Sequence, residues 1–435
     1  MQGYLKDLEP VVWAKYSSGN IVASPNVIRA CFELAYMGYG YNLDILENLG
    51  YEEIHYFVNG QEKPSRDKNS YVSQLIRYAK DGSSLNMLVC IKKQSKYVVC
   101  ISIAGSGADI NDWKDNFRFE QEDGMHEGFY KNATELLEII RNIKLDSLAK
   151  EFGVKSFGIS DILDECAMPR SRFKFFITGH SKGAGIAQLL NHILIDNLYI
   201  SRENIFSVLF ASPSVVSGKY LQTPFKYPII NIQNADDLVT KFGSIAQLGV
   251  CMEFRLPDKH YGFETTAHKL LLNTIRTIRS GYNWPIIMYA LFNHLIELDD
   301  DAPTDPSMIK YFIPKRLIKN YVSLIPKYFE SMAGTTFDME ASLNIQKKIA
   351  EVCHEYKLTE LLKLIIAFVN KTHKLYELDS PYRHFAENPT GYKLYIYDRE
   401  LKKRNAGRVV RLVDRPNSPL RTDKNKTRRI IQRKL

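Results

Sequence analysis

An α/β architecture is what the sequence predicts: a mostly parallel central sheet flanked by helices, followed by a smaller, mainly helical C-terminal region. Three observations predict it. Short apolar runs recur as far as residue 256 with longer amphipathic stretches between them, the pattern of strands buried on both faces and joined by helices. Two of these runs, 96–104 and 173–178, lead through glycine-containing turns into helical patterns. An acidic, proline-containing stretch at 298–306 (LDDDAPTDP) then breaks the composition, and beyond it helical periodicity dominates.

Taken in order, roughly the first 90 residues read as mostly helical, with apolar periodicity over 27–37 and 71–79. Residues 96–104 (KYVVCISIA) form a strand, followed by a glycine-rich turn and a long helix over 130–148. A second strand, 173–178 (FKFFIT), enters Gly179 ahead of a helix over 184–195, and residues 205–211, 227–232 and 251–256 supply three more strands. A first domain therefore spans 1–298. Helical patterns at 315–332, 339–356 and 359–378 and a strand-like alternation at 392–397 make up a second region, 307–400. Residues 401–435 read as a flexible basic tail.

An apolar share of 45%, with 26 Tyr and 22 Phe, excludes a disordered chain. The net charge of +9 is concentrated: the last 35 residues hold 13 Lys or Arg against two Asp, so the preceding 400 are left near −2. Such a tail fits an anionic membrane surface, at roughly 1 kcal/mol per nearby Lys or Arg. Nucleic acid is not the expected partner, and most runs of this kind are simply solvated. Six scattered cysteines without CxxC or Cys/His spacing imply reduced thiols and no metal site, and no cofactor is called for. The N-terminal residues lack a secretory layout and no stretch approaches ~20 apolar residues. The expectation is a cytoplasmic protein, or one exported by a route that ignores the N-terminus.

Gly179-His180-Ser181-Lys182-Gly183 matches GxSxG. Such a string gains meaning from context, because a nucleophile elbow needs a strand, a tight strained turn and a helix in succession. FKFFIT precedes it and the small-residue run Ala184-Gly185-Ile186-Ala187 follows. Ser181 then needs a histidine to take its proton and a carboxylate to orient that histidine, in the chain order Ser, Asp, His. Asp236 and Asp237, just after the strand at 227–232, can both supply the acid. His260, His268 and His294 are the downstream imidazoles in range, with His294 inside an apolar helical run.

The run FFITGHSKGAGIAQL resembles the elbow of the class 3 lipase family, the fungal triacylglycerol-lipase type of α/β-hydrolase. Upstream, VVCISIAGS, then Asn111-Asp112-Trp113, then His126-Glu127-Gly128-Phe129-Tyr130 resemble the family's strand, Gly-Ser turn, DW pair and HxGF signature. Downstream, Leu209-Phe210-Ala211-Ser212-Pro213 resembles its strand ending in an F-G-S/T-P turn. The likeness runs from about residue 98 to 268, under half the chain.

By that resemblance the acid is Asp237, through an N-x-x-D-x-V turn, and the base is His268. The oxyanion donors are Lys182, the residue after the nucleophile, and Ser106 in the turn after the first core strand. Residues 107–117 hold the place of the family's lid, with Trp113 and Phe117 as its apolar contacts; a fixed loop with Trp113 packed inside is the alternative. His126 reads as structural and His180 as a packing or elbow-supporting residue. Ala104 stands where the family usually has Arg, Lys182 where Leu is common, and Thr240-Lys241-Phe242 where a proline-containing loop is usual. A cation beside the pocket would favour anionic or phospholipid substrates.

The implied activity is hydrolysis of lipid or ester substrates through an acyl-serine, of acylglycerol lipase or phospholipase A type. The alternative is a catalytically silent binding protein of the same fold that uses its C-terminal helices for partner contacts.

Overall fold

The computed structural model describes residues 25–63, 85–105, 124–216, 226–241, 246–257, 260–262, 367–369, 371–375 and 377–397, with Tyr220, Lys269, Leu272 and the short strand segments 408–411 and 421–422. The strands are β1 (Tyr51–Val58), β2 (Gln61–Lys63), β3 (Asn86–Lys93), β4 (Tyr97–Ile103), β5 (Phe173–His180), β6 (Ile205–Phe210), β7 (Ile229–Asn234), β8 (Val250–Phe254), β9 (Leu394–Tyr397), β10 (Arg408–Arg411) and β11 (Arg421–Thr422). All eleven join one sheet, ordered β11-β10-β9-β8-β7-β6-β5-β4-β3-β1-β2. From β4 to β8 every neighbour is parallel, and antiparallel pairs extend the sheet on both sides. This is the mostly parallel core of an α/β-hydrolase, with antiparallel margins.

Parallel strands must be covered on both faces, and β5 shows how. All eight of its residues are buried. Alternate side chains point to opposite faces, so Phe175 and Ile177 enter one core with Ala184, Ile186, Leu189 and Leu190. Those four residues belong to the helix α3 (Lys182–His192), which lies between the sheet and α2 (Glu127–Arg141). Burying each such Leu, Ile or Phe is worth roughly 1.5–3 kcal/mol. On the other face lies α1 (Pro25–Met37). Thr178 Oγ1 lies 3.3 Å from the Cys31 carbonyl and 2.8 Å from that of Val208, and Ser102 Oγ donates to the Leu34 carbonyl at 2.7 Å. Phe32 meets Phe210 edge-on at 5.8 Å.

The N-terminal third differs from the sequence expectation. Only α1 and a short helix at Asp44–Asn48 are helical in 25–63, and β1, β2 and β3 form the sheet margin. The helical pattern at 71–79 lies outside the described residues. The long helix expected over 130–148 starts earlier and ends at Arg141, with His126 as its N-cap accepting from Phe129 N–H.

The region set apart from residue 307 is, where described, part of the same body. Its strand β9 pairs antiparallel with β8, and α4 (Pro381–Glu387) packs on α1 and β7. Ser380 caps α4 and Pro381 opens it, the arrangement a helix start favours. Phe385 stacks on Phe254 of β8 at 4.6 Å, and Arg29 of α1 donates to the carbonyls of Ala386 and Glu387 at 3.2 Å each. The boundary at 298–306 and the helical patterns 315–332 and 339–356 lie outside the described residues. Two segments of the basic tail, β10 and β11, continue the sheet beyond β9. No described helix is long and apolar enough to cross a membrane.

Candidate active site

In open parallel sheets, functional groups gather beyond the carboxyl ends of the strands, and here three strand ends converge. After β5 the chain turns sharply at Ser181, whose φ of +57° and ψ of −129° lie in a region that side chains seldom occupy. Two glycines permit the turn. A Cβ at Gly179 would stand 2.9 Å from the Gly183 carbonyl group and from the Ile103 carbonyl oxygen, and one at Gly183 would collide with the carbonyls of Ile103 and Ala104. The start of α3 is therefore seated against the end of β4. Ser181 N–H donates to the Phe210 carbonyl at 3.0 Å, which ties the turn to β6.

Beyond β7, Asp237 is fully buried. Its Oδ1 accepts from Val239 N–H at 2.9 Å, and its Oδ2 accepts from the Tyr382 hydroxyl at 2.6 Å. That hydroxyl in turn accepts from Asn234 N–H at 3.1 Å. Burial, and then the adjacent Asp237 carboxylate, push the Tyr382 phenol well above its ordinary pKa, so it stays a donor. Asp236 is also buried, but the imidazole contact is made by Asp237.

That imidazole belongs to His373. Its Nδ1 lies 2.8 Å from Asp237 Oδ2 and its Nε2 lies 2.8 Å from Ser181 Oγ. With Asp237 accepting at Nδ1–H, Nε2 is left as an acceptor facing the hydroxyl, the tautomer a proton-withdrawing histidine requires. His373 lies 192 residues beyond Ser181, where a helical segment ends at Thr372 and the chain turns toward α4. Asn234 Nδ2 donates to the Thr372 carbonyl at 3.1 Å, joining this segment to the aspartate's turn.

Of the residues singled out in the sequence, Ser181 and Asp237 are thus brought to one imidazole. His268, favoured by the resemblance, and His294 lie outside the described residues; the imidazole the structure places beside Ser181 is that of His373. His260 is turned elsewhere, with Nε2 donating to the Asp379 carbonyl at 2.9 Å. Spacing from the last parallel strand pointed to 260–294; the chain instead returns after a long intervening segment. The sequence did carry a signal, a histidine at the end of the 359–378 helical pattern, followed by Ser380-Pro381 and an aromatic.

On the oxyanion side, Lys182 is buried at the first position of α3, where a helix's N–H groups have no internal acceptor. Ser106 lies outside the described residues, and so do Trp113 and Phe117. Gly105, the last described residue before that turn, runs close over the serine: a Cβ there would stand 2.9 Å from Ser181 Cβ and 2.7 Å from the His180 carbonyl oxygen. Among the described residues no group of His, Cys, Asp or Glu is arranged to hold a metal ion. A buried serine hydroxyl, a correctly poised imidazole and an oriented carboxylate can together carry out nucleophilic attack on an acyl carbon.

Residues 100–246 match the model of a family described as Lipase (class 3). Among solved structures the chain is similar to Rhizomucor miehei lipase in a propeptide complex, at 18% identity over 40% of this chain and 53% of that one, TM-score 0.29. It is similar to a lipase from Rhizopus microsporus var. chinensis at 16% identity, over 43% and 69%, TM-score 0.29. M37 lipase matches at 14% identity over 79% of this chain and 95% of that one, TM-score 0.34. The chain spans about half the length of the first of these, 53%. No curated sequence matches it.

Proposed function

We propose, from the match of residues 100–246 to the class 3 lipase family model, that the chain is a serine ester hydrolase of lipid or lipid-like substrates. One observation carries the reading: the unbroken hydrogen-bonded run Ser181 Oγ, His373 Nε2, His373 Nδ1, Asp237 Oδ2, with 2.8 Å at both junctions.

In this reading Ser181 Oγ attacks the ester carbon while His373 Nε2 takes its proton. Asp237, buried and held by Val239 N–H and the Tyr382 hydroxyl, steadies the imidazolium that forms. The oxyanion is received by the Lys182 N–H and by the turn that follows Gly105, with Ser106 as the second donor. His373 returns the proton to the leaving alkoxide, and an acyl group stays on Ser181. Water, deprotonated by the same imidazole, then releases the acid. Acylglycerols and the acyl esters of phospholipids are the proposed substrates. Trp113 and Phe117 are proposed to meet the acyl chain, and Lys182 favours an anionic substrate.

The test is labelling by a fluorophosphonate together with acid release from a panel of acylglycerols, phospholipids and short-chain esters. Ser181→Ala should abolish labelling, and His373→Ala should lower turnover by roughly 10³-fold or more. His268→Ala is the deciding comparison for the base. If that variant is silent while His373→Ala turns over normally, the base is His268 and the reading of the relay fails. An unlabelled wild type that also releases no acid would leave only a binding protein of the same fold.

A further inference from the structure

A second hydrogen-bonded run meets the first and is not used by the chemistry above. Gly105 N–H lies 2.9 Å from the Tyr39 hydroxyl, that hydroxyl lies 2.8 Å from His180 Nδ1, and His180 Nε2 lies 2.9 Å from the main-chain carbonyl of His373. The direction of each bond follows from chemistry. A carbonyl only accepts, so His180 Nε2 carries the proton. Burial, reinforced by the neighbouring His373, pushes the His180 imidazole well below the ordinary histidine range. It is therefore neutral, Nδ1 is bare, and Tyr39 must donate to it. Tyr39 oxygen is then an acceptor for Gly105 N–H.

We propose that His180 and Tyr39 are positioning residues that hold the His373 backbone at a fixed distance from Ser181 and couple it to the turn after β4. The proposal rests on the ester-hydrolase reading of Ser181 and His373. His180 and Ser181 are consecutive, so two bridges join the same two points of the chain. One runs from Ser181 Oγ to the His373 ring, the other from the His373 carbonyl to the His180 ring. Together they close a small ring, and the imidazole can no longer slide along its approach to the hydroxyl. Without the second bridge, the position of the base depends on a turn that follows a long excursion of the chain. Tyr39 lies just beyond α1 and carries the same tie to Gly105, the residue that passes directly over the serine. Elbow, base and oxyanion turn thus share one set of bonds. Displacements of about 1 Å in such constellations can cost about 100-fold in rate.

The experiment compares wild type with His180→Leu, His180→Gln and Tyr39→Phe, using a soluble short-chain ester and the rate of fluorophosphonate labelling, with thermal melts on the same preparations. His180→Leu should lower kcat and labelling by about 30- to 100-fold, and Tyr39→Phe by about 10-fold, with KM within about twofold. His180→Gln should stay within about fivefold of wild type, because its amide N–H can replace Nε2–H on the His373 carbonyl. A purely structural role would lower melting temperature and the fraction of active enzyme together and would not distinguish Gln from Leu. The proposal is overturned if His180→Leu turns over normally, or if Gln is no better than Leu. Should His180→Leu fail to fold, a normal kcat in Tyr39→Phe overturns it, and a slowed Tyr39→Phe beside an active His180→Gln supports it. His373→Ala separates the two levels. If it is silent while His180→Leu and Tyr39→Phe are normal, only the positioning role fails; if it is fully active, the hydrolase reading and this proposal fall together.

Discussion

Ser181 sits at φ +57°, Asp237 is buried with three donors around it, and His180 is buried among Tyr39, Ser181, His373 and Tyr382. These are costly placements for polar groups, and each is supported by specific bonds. The neutrality of His180 has a consequence for stability. Its folded pKa is depressed, first by burial and then by His373, whereas in the unfolded chain it titrates near ~6.5. Above that pH both states are neutral and the contribution is fully present. As pH falls below it the unfolded chain takes up a proton that the folded one refuses. Stability should then drop by up to about 1.4 kcal/mol per pH unit until the folded group titrates. Denaturant unfolding at pH 7.5, 6.5 and 5.5 should show a steeper acid loss in wild type than in His180→Gln, and parallel curves would refute the neutral assignment. Ser181 and Asp237 could be read from the sequence because strand–turn–helix context and a turn pattern are local. His373 could not, because nothing local says which of several histidines a sheet of this size will bring back to its edge.

At the scale of elements, the elbow depends on how closely α3 approaches β4. Gly183 faces the Ile103 and Ala104 carbonyls with no room for a side chain, and those oxygens are main-chain atoms that cannot swing aside. Gly183→Val should therefore displace α3 from the sheet and destabilise the fold by about 3 kcal/mol, the upper end of the usual cost of overpacking at a rigid site. The same change at Gly50, where a Cβ meets nothing within 4 Å, tests backbone strain alone because its φ is +76°. Thermal melts of the two variants should differ clearly, with Gly183→Val the lower. The core strands β4 to β8 were legible because continuous apolar runs bounded by turns have few other readings. β3 was missed because Met87-Leu88-Val89-Cys90-Ile91 is an apolar run without alternation, which periodicity cannot tell from a buried helix. β1 was missed because its burial alternates poorly.

The molecule as a whole is closed by its C-terminal part. α4 is clasped by Arg29, Tyr382 reaches the aspartate, and β9 covers the edge of β8. A chain ending at residue 366 should lose fluorophosphonate labelling entirely. It should also self-associate in light scattering, since β8 would offer unpaired backbone groups at a sheet edge. Labelling at the wild-type rate would show that the imidazole comes from elsewhere. Sequence composition drew a border through this body because the acidic stretch at 298–306 and the helical patterns beyond it suggested a separate unit. Strand pairing across a long excursion leaves no mark in local composition, so the return of the chain to its own sheet was hidden.

That late return has a bearing on synthesis. A ribosome delivers the serine 192 residues before the imidazole that would activate it, which at about 5–20 residues per second is roughly 10–40 s. Throughout that interval, in the proposed reading, the nascent polypeptide lacks the imidazole that would activate Ser181. A product cut short before residue 373 would lack the same imidazole. In the proposed reading, reactivity is acquired only once residue 373 has been made and has reached the serine.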